Sequence, residues 1–297
     1  MDTLNKLFGT MRPPFLILAP VCLSVGVGTA YWQTGQVHWP HAFLVLIGGV
    51  AAHISVNVFN EYYDFRSGLD ARTQPTPFSG GSGTLPAHPE LKTKALVLAW
   101  TTLGITAVVG IYFVWLRGWL LLPVGILGLG LLVTYTIWWV YRPLLCLITP
   151  GVGFGLLMVL GTHYALTGTY TWHTLVASLV PTFLVSDLLL LNQFPDVAAD
   201  RSIGRRHYPI LIGRKKSALL YGGFLLLAYL SIVVGVVSRQ LPVMSLISLA
   251  TILLGWKAFR GARRYAEEGS ELIPSLTMNV ILNVTTPLLL AASFFIG

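Results

Sequence analysis

Charge is what this chain has least of. Asp, Glu, Lys and Arg make up 10% of its residues, well below the quarter or so typical of soluble domains, and that scarcity excludes an ordinary water-soluble globule. Cysteine is almost absent too. Cys22 and Cys146 lie in or beside apolar segments without CxxC or metal-ligand spacing, which excludes a disulfide framework or a thiolate metal site and leaves them as packing residues. Strand-like alternation is missing, so an outer-membrane barrel is excluded and backbone polar groups in lipid must be satisfied within helices. Acid is the scarcest charge, with eleven Asp and Glu against nineteen Lys and Arg. The resulting charge of +8 follows no nucleic-acid-binding module; anionic lipid headgroups and an anionic substrate are the expected partners, and nucleic acid is not.

Long apolar runs fill the chain instead. Hydrophobic residues make up 55% of it and the mean hydropathy is +0.72. Runs long enough to span a bilayer fall near 14–32, 41–63, 95–116, 118–139, 147–168, 174–194, 217–237, 242–259 and 275–296. The expected fold is therefore all-α and polytopic, with about nine transmembrane helices in a single integral-membrane domain, 1–297. The first run is longer than a signal-peptide core and has no small-x-small cleavage site, so it is expected to be retained. With the N-terminus in the cytoplasm, seventeen of nineteen Lys and Arg fall on that side and only Arg117 and Arg239 face outward.

Against that background two polar stretches stand out at the cytoplasmic ends of the second and sixth runs: Asn57-Val-Phe-Asn60-Glu61-Tyr-Tyr-Asp64-Phe-Arg66-Ser-Gly68-Leu-Asp70 and Asn192-Gln-Phe-Pro-Asp196-Val-Ala-Ala-Asp200-Arg201. Positions four apart share a helix face, so Asn60 aligns with Asp64, and Asn192 with Asp196 and Asp200. Helical rise separates Asp196 from Asp200 by about 6 Å, where two carboxylates repel by roughly 3 kcal/mol at an effective dielectric of ~20. Such a cluster needs cations. Hard oxygen donors without clustered Cys or His favour Mg²⁺, which combines one or two carboxylates with substrate phosphate oxygens. Two Mg²⁺ ions on Asp64, Asp70, Asp196 and Asp200 are expected, with a diphosphate as third party. Arg66, Arg72, Arg201, Arg205 and Arg206 are placed to donate to that diphosphate. The plainer reading of each Asp is a helix cap, and of each Arg a consequence of membrane sidedness. His53, on the face leading to Asn57 and Asn60, is open between a site role and a core hydrogen bond. The Phe78-Ser-Gly80-Gly81-Ser-Gly83 run is open between a substrate-adjacent lid and a connector.

Asn60-Glu-Tyr-Tyr-Asp64 with Asp70, and Asn192-Gln-Phe-Pro-Asp196-Val-Ala-Ala-Asp200-Arg201-x-x-Gly204, resemble the two aspartate-rich motifs of the UbiA superfamily of intramembrane prenyltransferases. Tyr135-Thr136, Tyr141-Arg142-Pro143-Leu144, Gly161-Thr162-His163-Tyr164-x-x-Thr167-Gly168 and the wide Asp64-to-Asp70 gap resemble its dihydroxynaphthoate, menaquinone-pathway branch. Ile148-Thr-Pro150-Gly151 and Arg205-Arg206-His207-Tyr208-Pro209 depart from that branch. The resemblance implies helices around a central active-site cavity in a bacterial or archaeal cytoplasmic membrane. There an isoprenyl diphosphate is transferred to an aromatic acid: 1,4-dihydroxy-2-naphthoate first, 4-hydroxybenzoate or another aromatic second. It makes Asp64, Asp196, Arg66 and Arg142 catalytic candidates, with Asn60 and Asn192 assisting. Tyr63, Tyr135 and Tyr141 become candidates to face an allylic cation, and His163 and Tyr164 to orient the acceptor. A CDP-alcohol phosphotransferase would carry a compact D-x-x-D-G pattern, absent here; an ion-coupled transporter would place its acids mid-membrane in broken helices.

Overall fold

The structure, a computed structural model, describes residues 2–73 and 76–297, with side chains from Asn5 onward; positions 74 and 75, between the second and third apolar runs, lie outside the described residues. Among the described residues every regular element is helical. Eight of these helices are long and apolar enough to cross a membrane: α1 (Pro13–Thr34), α2 (Trp39–Ser67), α3 (Pro89–Arg117), α5 (Pro143–Thr167), α6 (Trp172–Ser202), α7 (Arg214–Val237), α8 (Val243–Arg264) and α9 (Gly269–Ile296). The run expected at 118–139 forms a shorter apolar helix, α4 (Trp119–Thr134), because a turn ending in Trp139–Tyr141 cuts it off. About nine helices thus resolve into eight long and one short.

Successive helices are neighbours around a ring that closes where α9 packs on α1. One half of that ring is solid: Leu184, Leu191, Tyr221, Leu225, Leu276 and Leu290 of α6, α7 and α9 lie in one buried cluster. The other half, α1 to α6, encloses a cavity. Small residues let the backbones meet where lipid offers no hydrophobic drive for association. A Cβ on Gly151 or Gly155 would come within 2.1 or 2.2 Å of the Thr182 backbone, so α5 and α6 touch there. Immediately beyond Pro150, α5 widens into a π-helical stretch, Val152–Leu157, which turns Gly153, Phe154 and Leu157 toward the cavity.

Helix length sets the depth of the polar motifs. The 29 residues of α2 rise about 43 Å and the 31 of α6 about 46 Å, against a hydrocarbon core of ~30 Å. Exposed Trp39, Trp115, Trp119 and Trp172 gather at the ends of α2, α3, α4 and α6 that are remote from the Asp residues, as an interfacial aromatic belt does. The last turns of α2 and α6 therefore reach the opposite interface. Arg117 lies at the Trp end, where its Nε and Nη2 donate to the terminal carbonyls of Ala165 and Leu166 at 2.9 and 2.8 Å. That cation caps a helix C-terminus.

Candidate active site

Two helix ends supply the polar groups. α2 stays helical through Asn60 and Asp64 and stops at Gly68, whose φ of 75° takes the chain into a left-handed turn that brings Asp70 back beside Asp64. α6 carries Asn192, Gln193, Asp196 and Asp200 on consecutive turns of one face. Past its end, Gly204 (φ 83°) folds the chain back so that the Arg205 amide donates to the Asp200 carbonyl at 3.1 Å.

The two motifs meet through Arg205. Its Nη1 donates to Asp200 Oδ1 at 2.9 Å and its Nη2 contacts Asp64 Oδ1, while His207 Nε2 lies 2.9 Å from the other Asp200 oxygen. A second pair lies alongside: Arg12 Nε and Nη2 reach Glu61 Oε1 at 2.7 and 2.6 Å. Glu61 also accepts from the Ser82 amide at 2.8 Å and the Ser82 hydroxyl at 2.6 Å. This anchors the glycine-rich loop over the site, where Ser79 and the Gly80 amide approach Asp196. Asn60 accepts from the Thr136 hydroxyl, and Asn57 donates to the Met11 carbonyl at 2.8 Å.

Charge in this cluster is unbalanced, with five carboxylates (Glu61, Asp64, Asp70, Asp196, Asp200) around two guanidinium groups (Arg12, Arg205). Burial, reinforced by the like charges of Asp64 and Glu61, pushes the Asp70 carboxyl up to about 7. For Arg205, burial opposes the charge, but Asp64 and Asp200 more than offset it and hold the guanidinium above its ordinary range. Among the described residues, Asp70 Oδ2, Asn192 Oδ1 and Asp196 Oδ1 are buried without a hydrogen-bond partner, and all three residues line the cavity. Unsatisfied hard oxygens beside surplus negative charge fit Mg²⁺. Among the described residues no three His, Cys, Asp or Glu side chains are grouped so as to hold a metal ion by themselves.

Below the carboxylates the cavity is apolar. It encloses about 660 Å³ and runs past His53, Tyr135, Phe154 and Leu189 to Val45, Phe113 and Leu121. Val45 lies 19 residues before Asp64 on α2, about 28 Å along the axis.

Of the residues expected from sequence, Asn60, Asp64, Asp70, Tyr135, Asn192, Asp196, Asp200 and Arg205 line this cavity. The others lie elsewhere. Arg66 and Arg201 follow Asp64 and Asp200 by two residues and one, which rotates them onto exposed faces. Arg72 is exposed and donates to Ser202, and Arg206 is exposed on the Asp200-to-His207 turn. Tyr141 and Arg142 are exposed on the segment between α4 and α5. Tyr63 stacks on Phe59, centroids 6.2 Å apart, in the cluster between α2 and α3. His163 is fully buried, with Nδ1 3.0 Å from the Thr29 hydroxyl, and Tyr164 donates to the Arg117 carbonyl at the end remote from the carboxylates. Their neighbours Gly161 and Thr162 reach the cavity instead.

Arg12, Glu61, Gln193 and His207 join the site without having been expected there. Glu61 stands next to Asn60 in sequence, but one residue is a 100° turn of a helix, so the four-residue stripe passes it by. Arg12 is 49 residues from Glu61, and only tertiary packing pairs them.

Comparison with known proteins shows the family. Residues 20–296 match the UbiA prenyltransferase family. The chain is 30% identical to the 1,4-dihydroxy-2-naphthoate octaprenyltransferase of Bacillus subtilis (strain 168) over a stretch spanning 61% of this chain and 57% of that enzyme. It is 23% identical to the 2-carboxy-1,4-naphthoquinone phytyltransferase of Synechocystis sp., across 96% of this chain and 91% of the relative. In fold it resembles a UbiA homolog from Aeropyrum pernix K1 in its apo form (TM-score 0.72, 18% identity, 95% of this chain and 97% of the other). It also resembles a UbiA homolog from Archaeoglobus fulgidus bound to DMAPP and Mg²⁺ (TM-score 0.62, 13% identity, 98% and 99%). Two aspartate-bearing helix ends closing one apolar cavity, with the family match over almost the whole chain, make this protein a member of the UbiA prenyltransferase family, whose members are membrane-bound enzymes that transfer prenyl groups.

Proposed function

We propose that the protein transfers an isoprenyl group from an isoprenyl diphosphate to an aromatic acid, 1,4-dihydroxy-2-naphthoate, in menaquinone biosynthesis. The observation that carries this reading is the junction of a five-carboxylate, two-guanidinium cluster with a long apolar cavity, since an isoprenyl diphosphate has that same division into a polyanion and a hydrocarbon tail. The naphthoate acceptor rests on the relatives' names.

Asp64, Asp70, Asp196 and Asp200 would hold Mg²⁺, with Asn60 and Asn192 adding neutral oxygens. When bound, Mg²⁺ supplies positive charge to the departing diphosphate. Arg205 and Arg12 line the same space and would offer N–H donors to the same oxygens, stabilising the charge that develops as the C–O bond breaks. Tyr135, buried beside the Asp200 end, presents an aromatic face to the allylic cation. The apolar walls keep water from that cation, and the loop anchored by Glu61 covers the polar end. The acceptor ring then forms the new C–C bond and its carboxylate leaves as CO₂.

The N-terminus and the carboxylates lie on the cytoplasmic side of a bacterial or archaeal cytoplasmic membrane in this reading; the side is supported by seventeen of nineteen Lys and Arg falling on it. A competition assay tests the acceptor. Purified protein with one isoprenyl diphosphate and Mg²⁺ is expected to show a higher kcat/KM for dihydroxynaphthoate than for 4-hydroxybenzoate. The reverse order overturns the acceptor and leaves prenyl transfer standing, whereas no product with any aromatic acid overturns the whole reading.

A further inference from the structure

Among the described residues, Arg205 is the side chain that bridges both aspartate motifs, touching Asp64 on α2 and Asp200 near the C-terminal end of α6. The bridge is well sheltered, with side-chain exposures of 14% for Arg205, 14% for Asp64 and 4% for Asp200. Two features leave the side chain room for another arrangement. First, the Arg205 backbone is pinned by the hydrogen bond its amide donates to the Asp200 carbonyl, so the long side chain can swing without moving the chain. Second, His207 holds the other oxygen of Asp200, so that carboxylate keeps its direction when the guanidinium departs. Arg205 Nε is buried and has no partner among the described residues, so the guanidinium carries an unused donor, and the residue itself lines the cavity.

We propose that Arg205 is the resting counter-cation of this site: it holds Asp64 and Asp200 together in the ligand-free protein and is transferred to the diphosphate when those carboxylates take up metal. This rests on the reading of the site as a metal–diphosphate centre. Asp64 cannot give its oxygen fully to a divalent cation while Arg205 occupies it, and a freed guanidinium packed beside that cation would be repelled. The diphosphate resolves both, because it gives Arg205 a planar, two-pronged acceptor. Arg205 thus makes the two ligands depend on each other: either alone has to work against the bridge, and together they replace it.

The test is binding rather than turnover. Free Mn²⁺ is followed by electron paramagnetic resonance as it is titrated into the purified full-length protein in detergent, with and without inorganic pyrophosphate, for the wild type, Arg205→Met and Arg205→Lys. Wild type is expected to bind Mn²⁺ about tenfold or more tightly when pyrophosphate is present. Arg205→Met should bind Mn²⁺ alone about tenfold more tightly than wild type, and the gain from pyrophosphate should shrink to within about threefold. Arg205→Lys keeps the charge without the fork and should fall between them, so it carries the test if Arg205→Met does not yield folded protein. Metal affinity in both variants no higher than in wild type, with the pyrophosphate gain intact, overturns the inference alone. Wild-type protein that takes up no Mn²⁺ even with pyrophosphate overturns the metal–diphosphate reading and this inference with it.

Discussion

Glu61→Gln probes the loop anchor with little change of shape. The Glu61 side chain is fully buried and receives two guanidinium nitrogens of Arg12 together with the amide and hydroxyl of Ser82. Gln keeps one acceptor oxygen and turns an NH₂ toward groups that are themselves donors. Hydrogen bonds to a charged group contribute about 1.5–3 kcal/mol each and neutral ones about 1, so weakening this set is expected to cost the loop anchor roughly 3 kcal/mol. At 1.4 kcal/mol per factor of ten, local opening of the loop rises about 100-fold. Hydrogen–deuterium exchange of 78–83 in the detergent-solubilised protein reads that quantity directly, free of the irreversibility that clouds thermal unfolding of a membrane protein. The same variant should raise KM for the diphosphate more than it lowers kcat, because Ser79 and Gly80 no longer stand over Asp196. Ser82→Ala removes the hydroxyl's bond to Glu61 and its contacts with Thr84 but keeps the Ser82 amide bond, and should produce a smaller opening, about tenfold. Exchange in 78–83 that is unchanged by Glu61→Gln would refute the anchor.

Asp64→Ala and Asp196→Ala should each lose on the order of 10²-fold in turnover while the protein still inserts, and near-normal rates in either would favour a helix-cap role. Because burial and like charge raise Asp70 to about 7, this group favours the metal-free fold at pH values below its ordinary range, and that contribution is lost as pH rises through about 7. Serving as a ligand requires the deprotonated form, so apparent Mg²⁺ affinity should climb with pH to a plateau above about 7. A flat profile, or a step that survives in Asp70→Asn, removes Asp70 from the ligand set. A cysteine placed at Ser202, which is exposed at the end of α6, should react with an impermeant thiol reagent only from the cytoplasm, and labelling from outside would invert the topology.

Spans and polar helix ends were legible because both are local. Hydropathy marks each helix, though polar turns extend some of them beyond the apolar run, as α6 continues eight residues past 194 to Ser202, and a four-residue stripe puts Asn192, Asp196 and Asp200 on one face without reference to any other part of the chain. Arg205 was one of five Arg expected near the motifs, and nearness in sequence to Asp200 did not separate it from Arg201 and Arg206, which are exposed. The basic residues were not legible one by one, since positive-inside bias enriches Arg on this side whether or not a given one touches ligand, and helical phase sends Arg66 and Arg201 outward. His163 and Tyr164 misled in another way. They belong to a distinctive stretch, yet the rise of α5 from Pro143 carries them about 30 Å from the end of that helix nearest the carboxylates. Arg12 with Glu61 could not be paired at all from sequence, because the contact forms only when the chain before α1 folds over the end of α2.

Asp187 shows what depth alone does not decide. An acid within a membrane helix is a functional candidate by default, and Asp187 is fully buried in α6 with neither carboxylate oxygen partnered among the described residues. It nevertheless stands nine residues before Asp196, half a turn out of phase, so it faces the solid half of the ring. There Asn279 donates to its backbone carbonyl at 3.3 Å and the Tyr221 hydroxyl donates to Asn279 at 3.2 Å. One helix therefore carries two kinds of acid. Those on the cavity face have a space beside them in which cations and phosphate can be received, and the one on the opposite face has only packed side chains. What makes Asp196 and Asp200 a site is the hollow they border, and that hollow exists because α1 to α5 curve around one face of α6 while α7 and α9 pack tightly against the other.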